Sequence, residues 1–563
     1  MSDQFTFIDL FAGIGGFHAA LAGLGGRCVY VAEKDSFAQA VYSKAWLRDE
    51  DVHVTDDIND DVPVDTAHTV EELLRRARAG EIVVKNIPEK FDVLAAGFPC
   101  QAFSKSGKQL GVLDTMRGTL FYNILVIVAA RRPKVVFLEN VKNLIGPEHR
   151  ETTFKTIVDS LRALKYVVND EPTVFSPHLI APGEGGGPQG RERVYILAVS
   201  EEVLGGRDGG SRDLTPFDGP TKSTGWSPDR WEIGGTELRD GAPAAITTDW
   251  LHDVAASGDS ARAARAAQAE EYLGNLAEYE LDEDDAWYDV YERLLRTVVA
   301  QREKNQRGSW LPGHPIWFQV EDRLWLALQR ADATSHRGRG RKSRDWKDEF
   351  LDKSRAFIEA YSPQLTGTAS GDLLSEILSL KNLAWRKLEW QASDAESLAQ
   401  CLIQLRPSGV RVKKATYTPA LVAINQVPIL GSEKRRLTPY EAGRLQLFPD
   451  NVYEAMVELK QPQKQSYKQF GNAVHVGTVQ FALTQFMLHH FGADDNGCDA
   501  ADVGSLEGLL RSCRALAALW THASAENTAS ETAETVEEVP QHATPEQTAR
   551  TARRQSRPLT RAS

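Results

Sequence analysis

Cys100 stands in the stretch Gly97-Phe98-Pro99-Cys100-Gln101-Ala102-Phe103-Ser104-Lys105-Ser106-Gly107, directly after the apolar run Phe91-Asp92-Val93-Leu94-Ala95-Ala96. A short apolar run closed by Gly and Pro reads as a buried strand ending in a turn, which puts the thiol at a strand's carboxyl end. In an open α/β sheet ligands bind at that edge. A thiol there is either a nucleophile or an inert group, since free cysteine is among the most buried residue types. Two other stretches can bring chemistry to the same edge. Lys134-Val135-Val136-Phe137-Leu138 reads as a strand running into Glu139-Asn140-Val141, which ends on a carboxylate. Gln189-Gly190-Arg191-Glu192-Arg193-Val194-Tyr195-Ile196-Leu197-Ala198-Val199 reads as one strand whose alternation sets Gln189, Arg191 and Arg193 on one face. Beside a carboxylate and a thiol, two parallel guanidinium groups suit an anion or a polar ring; on an edge strand they are surface charge.

The elements that must position these groups lie in residues 5–199, where short apolar runs alternate with helical patterns, the signature of βαβ units and a mostly parallel sheet. The first strand, Phe5-Thr6-Phe7-Ile8-Asp9-Leu10, runs into Phe11-Ala12-Gly13-Ile14-Gly15-Gly16 and a helix from about Phe17 to Leu24. A glycine-rich turn between strand and helix lets backbone approach a ligand closely and aims amides at it. The dinucleotide fingerprint needs a third Gly where this chain has His18, which disfavours NAD. The second strand, Cys28-Val29-Tyr30-Val31-Ala32, ends at Glu33, where a carboxylate can take the two hydroxyls of a ribose; Asp57, after His53-Val54-Thr55, can meet an adenine amino group. Both acids also fit solvated loops. A helix is expected from Gly118 to Arg131, after a Gly-punctuated loop.

The 563 residues can bury a large core and predict two domains plus appendages. No apolar run is long enough to cross a bilayer, and Met1-Ser2-Asp3-Gln4 lacks the order of a secretory signal, so cytoplasmic residence is expected. Five cysteines (Cys28, Cys100, Cys401, Cys498, Cys513) without a C-x-x-C pair indicate neither a disulfide framework nor a metal site. The formal charge of −13 argues globally against a polyanionic partner, but charge is uneven. The βα pattern breaks near Ser200. Residues 255–307 read as helical, with Trp287, Tyr288, Tyr291, Leu294, Leu295, Val298 and Val299 in one stripe, and the acids of 278–285 as a solvated helix end. The cationic run Thr334–Arg344 can track phosphates or be a solvated loop. Between Cys401 and His475, eleven Lys or Arg stand against five acids, a basic belt that suits a nucleic-acid face. Leu506 to Trp520 is amphipathic and can pack back on the body; beyond Thr521 the chain has almost no large apolar residues and is expected to be disordered.

In order, Asp9-Leu10-Phe11-Ala12-Gly13-Ile14-Gly15-Gly16, Gly97-Phe98-Pro99-Cys100-Gln101, Glu139-Asn140-Val141, Gln189-x-Arg191-x-Arg193, Arg436-Leu437-Thr438-Pro439 with Glu441-Ala442-x-Arg444-Leu445-Gln446, and Gly471-Asn472-Ala473-Val474 resemble the DNA (cytosine-5)-methyltransferase family of bacterial restriction-modification type. Ala102 and His475 stand where the family commonly has proline, and Asp114 is spaced more widely from Arg117-Gly118 than expected. The resemblance implies an α/β fold with an S-adenosylmethionine-dependent methyltransferase (Rossmann-like) sheet, a second, target-recognition domain and a disordered C-terminal tail. The expected division is a catalytic domain over 1–199, target recognition with a helical insert over 200–434, a basic return segment over 435–490, and a helix and tail over 491–563. It further implies that Cys100 adds to C6 of a flipped-out cytosine, that Glu139 relieves charge at N3, and that Arg191 and Arg193 hold the base carbonyl and a phosphate. Phe11, Gly13, Gly15, Glu33, Asp57, Pro99 and Asn472 would line the S-adenosyl-L-methionine pocket, with no metal. The implied partner is double-stranded DNA, with no membrane, a monomeric enzyme, and a cognate restriction endonuclease that shares the target site without binding directly. Rival readings are the family's transfer-RNA branch, which has a much shorter insert, a catalytically silent DNA-binding protein, and a thiol hydrolase, for which His18, His149 and His178 lack a suggestive placement.

Overall fold

In a computed structural model of the chain, the described residues are 4–48, 50–64, 69–98, 120–169, 171–203, 219–231, 233, 275–281, 286–301, 308–320, 346–367, 372–422, 426–491 and 506–521. Pro99, Cys100, the loop that follows them, the cationic run 334–344 and the tail after 521 lie outside these residues.

The first half supplies β1 (Thr6–Leu10), β2 (Arg27–Ala32), β3 (His53–Thr55), β4 (Val93–Ala96), β5 (Val135–Val141), β6 (Tyr166–Val168), β7 (Thr173–Phe175), β8 (Gln189–Gly190) and β9 (Arg193–Ser200). One sheet runs in the order β3-β2-β1-β4-β5-β9-β6, with β7 also paired to β9. The first five of these strands are parallel, and β9 is antiparallel to β5, β6 and β7. Parallel strands need cover on both faces, and the alternation along them provides it. Phe7, Val31, Val93, Ala95 and Phe137 enter one apolar cluster with the helices Gly16–Gly23 and Val476–Phe491. Ile8, Leu10, Leu94, Ala96 and Leu138 enter a second, with the helices Val70–Arg78, Phe121–Arg131 and Lys155–Ala163. The result is the α/β, Rossmann-like layering expected from the sequence. The helix over 507–521, with Leu506 just before it, adds Leu506, Leu509, Leu510, Cys513 and Trp520 to the first cluster, so the amphipathic stretch does pack on the body.

The second half forms another sheet. Its strands are β10 (Ile316–Trp317), β11 (Lys387–Gln391), β12 (Cys401–Arg406), β13 (Gly409–Lys414), β15 (Ile429–Leu430) and β16 (Arg435–Arg436), ordered β10-β11-β13-β12-β15-β16; between β13 and β15, β14 (Thr418–Pro419) pairs in parallel with β8 and ties this half to the first. The β15–β16 hairpin spans the expected 434/435 boundary. The helix Trp287–Gln301 presents Trp287, Tyr291, Leu294, Leu295 and Val298 to Leu388, Trp390, Ile403, Val410 and Val412. The helical reading of 255–307 needs correcting over 275–281, while 255–274, 282–285 and 302–307 lie outside the described residues. Leu276–Tyr279 is a 3₁₀ turn begun by the Asn275 side chain, and Leu281 N–H then donates to Lys434 O while Glu280 bridges to Arg435. Pairing with a distant segment has overridden local propensity there. Among the described residues no helix is long and apolar enough to cross a membrane.

Leu509 is fully buried in the cluster that also covers β1. Leu509→Ala should therefore lower stability by about 2–5 kcal/mol, read from denaturant unfolding; an unchanged midpoint would mean that the last helix is no part of the core.

Candidate active site

The site is built where β1, β2, β4 and β5 end. Beyond β1 the backbone turns left-handed at Phe11 (φ 56°), Gly13 (φ 57°) and Gly15 (φ 89°). For phenylalanine that conformation is uncommon and stores strain of order 1–3 kcal/mol, the kind of cost that gathers at functional sites. At Gly15 a Cβ would lie 2.2 Å from Trp46 Nε1, an indole that donates to Ile14 O at 3.0 Å, so no side chain fits. Above Gly13 a Cβ would meet nothing within 4 Å among the described residues, which leaves room there for a ligand.

Glu33 braces this turn from the end of β2. Its Oε2 accepts from Gly13 N–H and its Oε1 from Asp35 N–H, each at 2.7 Å. Burial pushes its carboxyl up, against the pull of those amides. Each oxygen keeps a further lone pair, so the acid that fixes the turn can still accept from two hydroxyls. The residues thus fit a nucleoside held over the turn. Asp57 caps the short helix Ile58–Asp61 by accepting from Asn59 N–H and pairs with exposed Lys34 at 3.0 Å. Asn472 is the exposed last residue of the helix Gln463–Asn472.

The end of β4 meets the end of β5. A Cβ on Gly97 would lie 3.9 Å from Glu139 Oε2 and 3.8 Å from Val474 Cγ1, so the strand that leads to Cys100 passes directly beside the carboxylate. Asn140 donates from Nδ2 to Phe98 O at 3.3 Å and accepts from Val141 N–H at 2.8 Å, pinning the segment just before Pro99. Sequence reasoning gave Asn140 no role, although an amide inside a buried apolar strand signals a needed partner. Glu139 is 8% exposed and forms an ion pair with Arg193 Nε at 3.0 Å. The register explains the contact: Val141 lies opposite Arg193, so Glu139, two residues away on the same face, is its diagonal neighbour. Burial raises the Glu139 carboxyl, offset in part by Arg193 and Arg191.

Arg191 does not share that face, which corrects the single-strand reading of 189–199. The chain leaves β8 at Gly190 and enters β9 at Arg193, because Gln189 and Gly190 pair with Thr418 and Pro419. At 2% exposure, Arg191 donates to the carbonyls of Leu421, Gly471 and Ala473 at 2.6–3.2 Å. It thereby holds both neighbours of Asn472. The basic belt is also reduced. Arg435 is buried between Glu433 and Glu441, Lys414 pairs with Asp394, Lys434 with Asp289, and Lys468 with Asp35. Three of those acids lie outside the 401–475 window in which the charges were counted.

The model of the C-5 cytosine-specific DNA methylase family matches residues 5–487. The Type II methyltransferase M.AluI of Cellulosimicrobium cellulans is 34% identical over 523 residues, covering 86% of this chain and 92% of that protein. M.HpaII of Haemophilus parainfluenzae is 41% identical over 208 residues, covering 36% of this chain and 48% of its own, and M.HhaI of Haemophilus parahaemolyticus is 38% identical over 197 residues, covering 35% and 50%.

Arg191→Met should leave buried carbonyls without a donor and cost roughly 2 kcal/mol or more in denaturant unfolding, with Arg191→Lys recovering part of it. Unaltered stability in Arg191→Met would show that the guanidinium is not a structural tie.

Proposed function

This chain belongs to the C-5 cytosine-specific DNA methylase family and is a DNA (cytosine-5-)-methyltransferase of restriction-modification type; from that premise we propose how its residues carry out the reaction. The observation that carries the proposal is the Glu139–Arg193 pair beside Gly97. Cytosine C5 is a weak nucleophile, and addition of the Cys100 thiolate at C6 turns the ring into an enamine that is reactive at C5. Addition puts negative charge on the ring, and a Glu139 carboxyl raised by burial is suited to donate a hydrogen bond or proton to N3. Arg193 orients that carboxyl and can meet the base carbonyl. Arg191 acts through the turn it holds, setting Asn472 toward the cofactor. Asn140 acts likewise on the segment before Cys100.

S-adenosyl-L-methionine, when bound, supplies the electrophilic methyl group. Phe11, Gly13, Gly15, Glu33, Asp57, Pro99 and Asn472 would hold it, with Glu33 accepting from the ribose hydroxyls and no metal taking part. Because C6 is covered inside a stacked duplex, the target cytosine is flipped out of double-stranded DNA, and residues 200–434 recognise its sequence context. The enzyme acts as a cytoplasmic monomer that protects DNA against an endonuclease of the same specificity.

Methyl transfer to duplex DNA should vanish in Cys100→Ser while DNA binding persists. A duplex with 5-fluorocytosine at the target, which lacks a removable C5 proton, should become covalently joined to the parent enzyme and not to the variant. Transfer by Cys100→Ser at the parent's rate would remove the covalent mechanism.

A further inference from the structure

The second sheet has two unlike faces. Leu388, Trp390, Ile403, Val410 and Val412 point into the core beneath the helix Trp287–Gln301. Alternate positions on the same strands face the other way: the registers Glu389↔Arg411 and Lys413↔Gln391 bring Lys387, Glu389, Arg411 and Lys413 together, with Arg406 at the end of β12. Among the described residues on this face of β11, β12 and β13, Glu389 is the sole acid, and it is shared by Lys387 at 2.9 Å, Arg411 at 3.5 Å and Arg406. Burial opposes ionisation of Glu389, yet its three cations hold the carboxyl below its usual range. One carboxylate cannot neutralise them. Among the described residues the buried Nε atoms of Arg406 and Arg411 have no hydrogen-bond partner, while the two side chains keep 16% and 29% exposure. Lys413 lies 3.7 Å above the Tyr417 ring, and burial together with Arg411 and Lys222 pushes its ammonium down to about 8.

An uncompensated positive surplus, half-withdrawn from water, costs free energy unless an anion completes it. The neighbouring Lys414, on the opposite face, pairs with Asp394 and contributes nothing to that surplus. We propose that this face of β11, β13 and β12, through Arg406, Arg411 and Lys413, seats the phosphate backbone of duplex DNA. The inference rests on the methyltransferase reading for its partner. Planar guanidinium groups match phosphate oxygens in pairs through whatever part of them reaches solvent, and strands side by side hold them in fixed relation. Backbone contacts of this kind set the register of the protein on the duplex and carry no sequence information. This gives a role to Arg406, Arg411 and Lys413 of the basic belt, whose charge Glu389 offsets only in part.

The test is the salt dependence of binding to a random-sequence duplex, with methyl transfer by the parent enzyme measured alongside. Replacing two phosphate contacts in Arg411→Gln/Lys413→Gln should lower the slope of log affinity against log salt by about 2. Lys414→Gln should leave the slope as in the parent. If the double variant does not fold, Lys413→Gln alone should lower the slope by about 1. A parent that methylates DNA, with variant slopes equal to its own, would overturn this face and leave the methyltransferase reading standing. A parent that neither binds nor methylates DNA would overturn both.

Discussion

The arrangement depends on an antiparallel strand placed next to parallel ones. β1, β2, β4 and β5 all deliver their last residues to one edge, and only a strand running the other way can bring its first residue there. β9 does so, and its first residue is Arg193, diagonal to Glu139. A carboxyl at 8% exposure would be costly as a lone anion. One guanidinium at 3.0 Å offsets that cost only in part, so the group stays closer to protonation than a solvated glutamate. That intermediate condition is what a proton-sharing partner for a ring nitrogen requires.

The rest of the site is held from a distance. Arg191 joins the segment before β9 to backbone some 230 and 280 residues further on, and β8 pairs with β14 across a similar span. Long-range ties of this kind let the second half of the chain adjoin the first without being continuous with it. They also bring the Gly471–Ala473 turn to the glycine-rich loop after β1, where Gly16 packs closely against Val474. In the same way Glu33, at the end of β2, fixes the loop after β1.

What was legible in the sequence was local. The β1 turn and helix, the strand before Cys100 and the strand ending in Glu139 each carry their own signal in apolar runs, glycines and length. The stripe from Trp287 to Val298 is of the same kind and gave a helix with its core face correctly assigned. The failures were non-local. No pattern in 189–199 shows that Gln189 and Gly190 belong to a separate strand, because their partner is Thr418–Pro419. Counting charges between 401 and 475 could not show that Asp394, Asp289 and Asp35 pair with lysines of that stretch. Asn140 was visible as a letter but not as a tie, since its acceptor, Phe98 O, lies on a neighbouring strand's exit.

The most direct measurement of the central claim is the titration of the Glu139 carboxyl, followed by isotope-edited infrared spectroscopy in the parent protein and in Arg193→Met. The account predicts a midpoint above the ordinary glutamate range in the parent and a further rise once the guanidinium is removed. An ordinary midpoint that does not respond to Arg193 would contradict it.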